Sequence, residues 1–473
     1  MSGIRSEIQP EIGGNLVLHE AGSGRDRFWI LVSAVAYAVF LHWAHAHYLS
    51  DKWGYYGFRY DNFNGADWAA VLVLTLAGAA RLPKALDRPS SVIIWQLFVI
   101  VYLPIVTITV GLSADSLARY GWSLAALGVG FLTICSTMKP GVSMVNREGW
   151  LPSADINAWA LALWVIATAA LIFLYRDIIA FAALDDIYYQ RSLTSAEVGS
   201  AVAYLRTYYS SLLCPFLLIV GAMQRRLFLI GCALVGFAVT YGIDAQKITV
   251  VTMAAVLGLF AAYRIARIWY SSAVVLAVVM APMVILVLLY IIGGGHVYLP
   301  GGQTTLDIVV FRMVALPGLS FSQYYDIFTS TGYTYWSNVR GIGLIVSPPA
   351  AFINDPWWPN LGNIVGDRFY GNTATNANAN PFAGEGVAAA GPLGVIVISV
   401  ATAIWLRVLD WAAQGWSSIF VSLLVVSIGM TLTNGHLSTL LISFGGALLP
   451  ILLFALGPRT RLGNKLHGRS VSL

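Results

Sequence analysis

The chain is 473 residues long, with 58% apolar residues and only 10% Asp, Glu, Lys or Arg, where an ordinary soluble domain has about 25% charged. At a mean hydropathy of +0.73, its 27 basic and 22 acidic residues cannot coat a soluble body of this size. That excludes a soluble enzyme, a nucleic-acid-binding protein and a disordered chain. The net charge of +5 is read by placement rather than by sum, because loop lysines and arginines orient membrane spans.

The first stretch is polar (Glu7, Glu11, His19, Glu20) and does not read as a cleavable signal, so the first apolar run is taken as a retained span. A helix crosses the hydrocarbon core with about 20 mostly apolar residues, and only helices satisfy the backbone of such runs in lipid. Twelve runs qualify: 28–48, 66–81, 91–113, 118–138, 156–175, 199–222, 227–243, 247–263, 271–292, 385–406, 416–433 and 436–456. The second is short and the sixth is rich in polar residues. The expected fold is an all-α polytopic integral membrane protein of about twelve transmembrane helices. Its expected parts are a cytoplasmic tail 1–27, nine helices over 28–292, a large periplasmic loop 293–384, three helices over 385–456, and a basic cytoplasmic tail 457–473.

Loop charges orient this scheme. With the N-terminus inside and the runs alternating, 17 of the 27 Lys and Arg fall on the inner side and 10 on the outer, while acids split 8 to 14. This is the positive-inside pattern, and it places both termini in the cytoplasm. Inner arginines need no explanation beyond topology. The outer ones run against the bias and call for another reason.

Two outer connections are long: 176–198 and the 92 residues of 293–384. The second holds 15 aromatics and few charges, which argues against disorder, and long ordered insertions are usually functional. Within it, 304–330 reads as two short amphipathic helices broken at Pro317. Leu306, Val309, Val310 and Met313 form the first stripe, and Tyr324, Tyr325 and Phe328 continue it. Such helices belong at the membrane interface or against the bundle. In an extended run, Asn376, Asn378 and Asn380 face one side.

Amide, aromatic and guanidinium groups together suit a phosphorylated sugar. Amides match sugar hydroxyls, Tyr and Trp pack on apolar sugar faces, and arginine forks match phosphate. Tyr333, Tyr335, Trp336, Trp357, Trp358 and Tyr370 lie among Arg340, Arg368 and eight Asn between Asn338 and Asn380. The plain alternative is an interfacial aromatic belt with turn asparagines. Arg206 lies inside the sixth run and Lys247 opens the eighth; a cation there faces a cavity, snorkels, or pairs with an acid, as Lys247 could with Asp244. Arg191 and Arg312 complete the outer set. His42, His45 and His47 cluster in the first run without the Glu of a metal motif, and read as interfacial polar residues. The three cysteines, Cys135, Cys214 and Cys232, have neither metal-ligand spacing nor a disulfide pattern.

The segments RMVALPGLSFSQYYDIF (312–328), YWSNVRGIG (335–343), NANANPFAGEGVAAAGPLG (376–394) and GIDAQKITVV (242–251) resemble the O-antigen and oligosaccharide-repeat-unit polymerases of the Wzy type. The resemblance covers the C-terminal half. It implies a membrane glycosyltransferase of the broad GT-C kind in the bacterial inner membrane. Such an enzyme moves a growing glycan from undecaprenyl diphosphate to the next lipid-linked repeat unit at the outer face, alongside a flippase and a chain-length regulator. By motif, Arg312, Arg340 and Lys247 fall in the family's basic elements and Asn376, Asn378, Asn380 and Glu385 in its Asn-rich element, with Arg368 less surely matched. Arg191 and Arg206 rest on the charge argument alone.

The expected site therefore has Arg312, Arg340, Lys247, Arg206, Arg191 and Arg368 on the diphosphate. Asn376, Asn378, Asn380, Tyr324, Tyr335 and Trp336 are expected on the glycan. Glu385, Asp326 and His296 are the candidates for the base that takes the acceptor proton, with no metal and no cofactor. Glu385 also reads as an ordinary carboxylate at a helix N-terminus. A glycan ligase or another lipid-linked-sugar transferase shares all of this chemistry. A transporter or lipid-linked-oligosaccharide flippase shares the span count, although no half of the chain repeats the other and the polar mass sits in one loop rather than at the midplane.

Overall fold

A computed structural model describes residues 23–137, 149–180, 200–244, 247–265, 288, 292, 307–371, 376–378 and 380–458. Among these the protein is helical throughout, with no strand beyond an isolated bridge between Trp150 and Trp416. The helices in chain order are α1 (Asp26–Tyr56), α2 (Gly65–Ala80), α3 (Pro89–Val110), α4 (Ser116–Cys135), α5 (Ala154–Leu174), α6 (Ala201–Met223) and α7 (Leu227–Asp244). They continue with α8 (Lys247–Ile265), α9 (Leu316–Thr331), α10 (Leu361–Tyr370), α11 (Phe382–Ala412), α12 (Ser418–Thr433), α13 (Leu437–Ser443) and α14 (Leu448–Leu456). Seven of them, α1, α3 to α7 and α11, are long and apolar enough to cross a membrane, and the pair α13 and α14, bent by 48°, adds an eighth if it counts as one broken span. The expected run 271–292 lies, apart from residues 288 and 292, outside the described residues, as do 293–306, both chain ends, Arg191 and His296.

Local chemistry accounts for several of the boundaries. The Asn64 side chain accepts the Ala66 and Asp67 N–H groups while Asp67 accepts that of Asn64, a reciprocal cap that starts α2. Ser153 caps α5. At α3, Pro89 occupies the first turn, where its missing N–H costs nothing, and Asp410 of α11 accepts from both the Ser90 N–H (2.9 Å) and hydroxyl (2.6 Å). Outward faces are apolar. On α5, Trp159 is 77% exposed and Ile166 67%, a surface that water penalises and lipid accepts. An all-helical body with several such spans is a multi-pass membrane protein.

At the centre stands α3, buried along nearly its whole length. Tyr102 stacks on Phe131 of α4 at 4.4 Å and donates to the Leu74 carbonyl at 2.7 Å. Against α3 also packs α9, a helix from the segment expected to form a loop. Gly318 makes this possible: a Cβ there would lie 2.7 Å from the Pro104 carbonyl oxygen and from Ile108. The Thr109 hydroxyl donates to the Gly318 carbonyl at 2.9 Å.

The expectation for 304–330 is corrected accordingly. The π turns of Asp307–Ala315 lead straight into α9, with Pro317 in its first turn rather than at a break. Residues 317–324 are all buried, including Ser320, Ser322 and Gln323, so of the two expected placements α9 takes the one against the bundle.

The span α11 is discontinuous. Ala390 (φ −158°, ψ 29°) and Gly391 (φ 58°, ψ −136°) leave the helical region just before Pro392. Pro392 has no N–H for the Ala388 carbonyl, and the break removes the donor for Ala389. The N–H groups of Thr334 and Tyr335 take these two carbonyls at 2.9 and 3.0 Å. To do so, Tyr335 and Trp336 adopt positive φ of 47° and 60°, a conformation that costs non-glycine residues energy.

Candidate functional site

The inserted helix, the 333–359 turns and the start of α11 meet at one end of the bundle. Asn380 joins them. Its side-chain oxygen accepts the Ala383 N–H at 3.0 Å and its amide nitrogen donates to the Pro317 carbonyl at 3.4 Å. The chain then enters α11 through the π turns Phe382–Val387, a feature that often marks functional positions.

Glu385 lies in those turns, 2% exposed. Both of its carboxylate oxygens accept the Ser438 N–H, at 3.1 and 3.2 Å. Ser438 is in the first turn of α13. The carboxylate thus caps a helix N-terminus, as its sequence position allowed, but that of α13 rather than of its own span. Beside it His436 precedes α13, with a buried Nε2 that has no hydrogen-bond partner among the described residues and packs where a Cβ on Gly384 would overlap it. Sequence reasoning missed His436, weighing the earlier histidine cluster instead. The signal was present as a lone histidine in the short Asn434–Gly435–His436 turn between two apolar runs.

The cations fall into separate settings. Arg206 of α6 pairs with Asp244 at the end of α7 (3.5 Å) and lies over the Tyr175 ring at 5.9 Å. Asp244, one of the partners weighed for Lys247, is engaged by Arg206; Lys247 opens α8, and its side chain lies outside the described ones. Arg368 of α10 is held three ways, by Asp355 at 3.8 Å, the Thr331 hydroxyl at 3.1 Å and the Phe352 ring at 5.2 Å. Phe352 stacks on Trp358 at 5.8 Å. Trp358 in turn lines an open cavity of about 380 Å³ together with Arg340, Asn338, the 341 and 343 glycines and Leu344. One aromatic bridge thus connects Arg368 to the Arg340 cavity, whereas Arg206 sits on other helices. Arg312 is exposed on the π turns before α9, next to Phe311, which stacks face to face on Trp53 at 4.1 Å.

Asp326 is not a free carboxylate. Arg119 approaches it at 2.8 Å and the Tyr120 hydroxyl at 3.2 and 3.3 Å. Burial pushes its carboxyl above the usual range, and Arg119 opposes that shift. Among the glycan candidates, Asn376 and Asn378 are exposed and lie over Gly362, where a Cβ would meet both side chains. Ala377 between them is buried, its N–H donating to the Gly362 carbonyl at 2.9 Å. Asn380 does not share their face, because it is buried as a cap. Tyr324 is fully buried and spends its hydroxyl on the Ala377 carbonyl at 3.2 Å, so it supports the Asn run from beneath. Tyr335 is 56% exposed and Trp336 half-buried.

The described residues offer two exposed amides over Gly362 (Asn376, Asn378), an exposed Tyr335 at the α11 break, an arginine in the lining of a cavity (Arg340), and a buried carboxylate (Glu385) beside the His436 imidazole of the turn before α13. No protein-family model, curated protein or solved structure matches the chain. The family likeness therefore rests on the quoted segments, and what is established here is a polytopic, all-helical membrane protein.

Proposed function

We propose that this protein is an inner-membrane glycosyltransferase that polymerises undecaprenyl-diphosphate-linked oligosaccharide repeat units, in the manner of Wzy-type O-antigen polymerases. In this reading the twelve runs are spans, both termini are cytoplasmic, and the segment from Asp307 to Asn380 lies at the periplasmic face. One observation carries it. The long insertion folds onto the bundle through α9 and carries exposed amides, aromatics and a cavity with Arg340 in its lining, and it leads into the buried start of a broken span that carries Glu385.

The leaving group is a diphosphate, so negative charge grows on its bridging oxygen in the transition state. Fixed guanidinium donors aimed there lower the barrier; losing one such donor typically costs about 2.7–4 kcal/mol. Arg340 at the cavity mouth takes that role, with Arg312 and Lys247 next to it in order of choice. Arg206 and Arg368, each engaged by a carboxylate, serve structure first. The candidates to take the acceptor proton are Glu385 and the adjacent His436, both of which would first have to be opened to substrate, because Glu385 is buried and already bonded to the Ser438 N–H. In proteoliposomes supplied only with lipid-linked repeat units, the wild type makes a ladder of lengths and Arg340→Ala makes none. A wild-type ladder from Arg340→Ala removes Arg340 from the diphosphate, and products limited to a single transfer favour a ligase.

A transport reading is favoured by a different observation, the break at Ala390 and Gly391 within a span. Transporters and flippases place such breaks at their substrate sites. Movement of labelled lipid-linked sugar across the vesicle with no glycosidic bond formed would support it over polymerisation.

A further inference from the structure

The turn that follows the two strained residues ends in an apolar tip. Leu344 is 90% exposed and Ile345 88%, with Ile342 at 40%. No charge occurs from Gly341 through Asn354. Three bare aliphatic side chains on one turn are costly in water, since each fully exposed side chain forgoes about 1.5–3 kcal/mol of burial.

The root of this turn is tied to α11. Thr334 and Tyr335 donate to the Ala388 and Ala389 carbonyls, which lie six and seven residues into α11 (Phe382–Ala412). At the rise of a helix that is roughly 10 Å from the start of the span. Immediately beyond the break, α11 presents an exposed stripe at helical spacing: Leu393, Val397, Val400, Ile404, Val408 and Trp411. A helix that faces acyl chains carries such a stripe. Tyr335, exposed at the root, bonds the Ala389 carbonyl four residues before Leu393. Between root and tip, successive turns keep the path short, with Ser337 N–H bonded to the Thr334 carbonyl, Val339 to Trp336 and Gly343 to Val339. Arg340 stands between the strained root and the apolar tip, in the lining of the cavity that Leu344 also lines.

We propose that residues 341–346 form a membrane-dipping anchor. Ile342, Leu344 and Ile345 lie among the acyl chains of the bilayer that the spans cross, and they hold the Arg340 cavity, which Leu344 also lines, against the membrane. The inference rests on the membrane character of the chain and not on glycan chemistry. The occupant is bilayer lipid, because the turn is rooted at Ala389, four residues before Leu393 opens the exposed apolar stripe of α11.

The test uses the full chain in vesicles of phosphatidylethanolamine and phosphatidylglycerol, with a nitroxide label on Leu344→Cys and, separately, on Leu393→Cys. The native Cys135, Cys214 and Cys232 are buried, and chain without an introduced cysteine sets the background. The label at 344 should collide with oxygen more than with a water-soluble nickel chelate, as the label at 393 does. A second variant, Leu344→Cys with Ile345→Asp, should reverse that preference. Nickel-dominated collisions at 344 overturn the anchor, since the tip is then in water. Few collisions with either agent also overturn it, since the tip is then packed on a second copy or a protein partner. A nickel-dominated label at 393 instead refutes the membrane reading itself.

Discussion

Glu385 permits a separation of structural from chemical roles. Its buried carboxylate holds the Ser438 N–H at 3.1 and 3.2 Å and so starts α13. Glu385→Ala removes that acceptor, leaves a partly buried donor unpaired and opens space in the π turns. A hydrogen bond to a charged group is worth about 1.5–3 kcal/mol, and an orphaned buried N–H costs about 1–3 kcal/mol. These overlap rather than add, which puts the loss at roughly 2–3 kcal/mol. Glu385→Gln keeps an acceptor oxygen at nearly the same place and forfeits only the charge, so its loss should be about half of that. Reversible unfolding in mixed micelles measures both. If Glu385 is also the base, Glu385→Gln should be folded and inactive in the ladder assay. Unchanged stability of the alanine variant would refute the capping argument, and full activity of the glutamine variant would remove Glu385 from proton transfer.

Gly391→Ala should destabilise the protein by about 1–3 kcal/mol, because its backbone is of a kind open essentially only to glycine and a Cβ would lie 2.7 Å from the Tyr333 hydroxyl. Adding Tyr333→Phe should recover only part of the loss in the same unfolding assay. Arg206→Met should cost less than the ~3–5 kcal/mol of a fully buried pair, since Arg206 keeps 17% exposure. The double variant with Asp244→Asn should lose less than the two single losses summed; unchanged stability of Arg206→Met would mean that the pair contributes nothing. For Asp326, burial raises the carboxyl above its ordinary 3.8, so folding takes up a proton between the unfolded and folded values. The stability from that uptake is complete below the unfolded pKa and is lost as pH rises through the folded one. The thermal midpoint of wild type relative to Asp326→Asn should therefore fall as pH rises above the usual carboxylate range; a rise would show that the Arg119 pair outweighs burial.

The helices were legible in the sequence because each depends on its own residues. Every apolar run that lies among the described residues is a helix, from α1 through the bent pair α13 and α14, since an apolar backbone in lipid must bond within itself. Less local features were not legible. Pro392 and Gly391 are visible punctuation, yet whether they kink the span or break it depends on Thr334 and Tyr335, more than fifty residues away, supplying donors to the stranded carbonyls. The apolar pattern of 304–330 serves a surface helix or a buried one equally well, and Gly318 decides for burial only because α3 lies across it.

The candidate site divides in the same way. Residue types told which groups suit sugar and phosphate. Tertiary contacts decided which of those groups remain available. Arg206 and Arg368 meet Asp244 and Asp355, Tyr324 is sealed under Ala377, and Glu385 finds a helix N-terminus more than fifty residues downstream. The composition and periodicity of this chain thus determined by themselves that it is a helical membrane protein, because hydrocarbon acts on each segment separately. The broken span, the inserted helix and the partner of each charge were settled only by the folded whole, because a hydrogen bond or ion pair requires two groups that the linear chain keeps far apart.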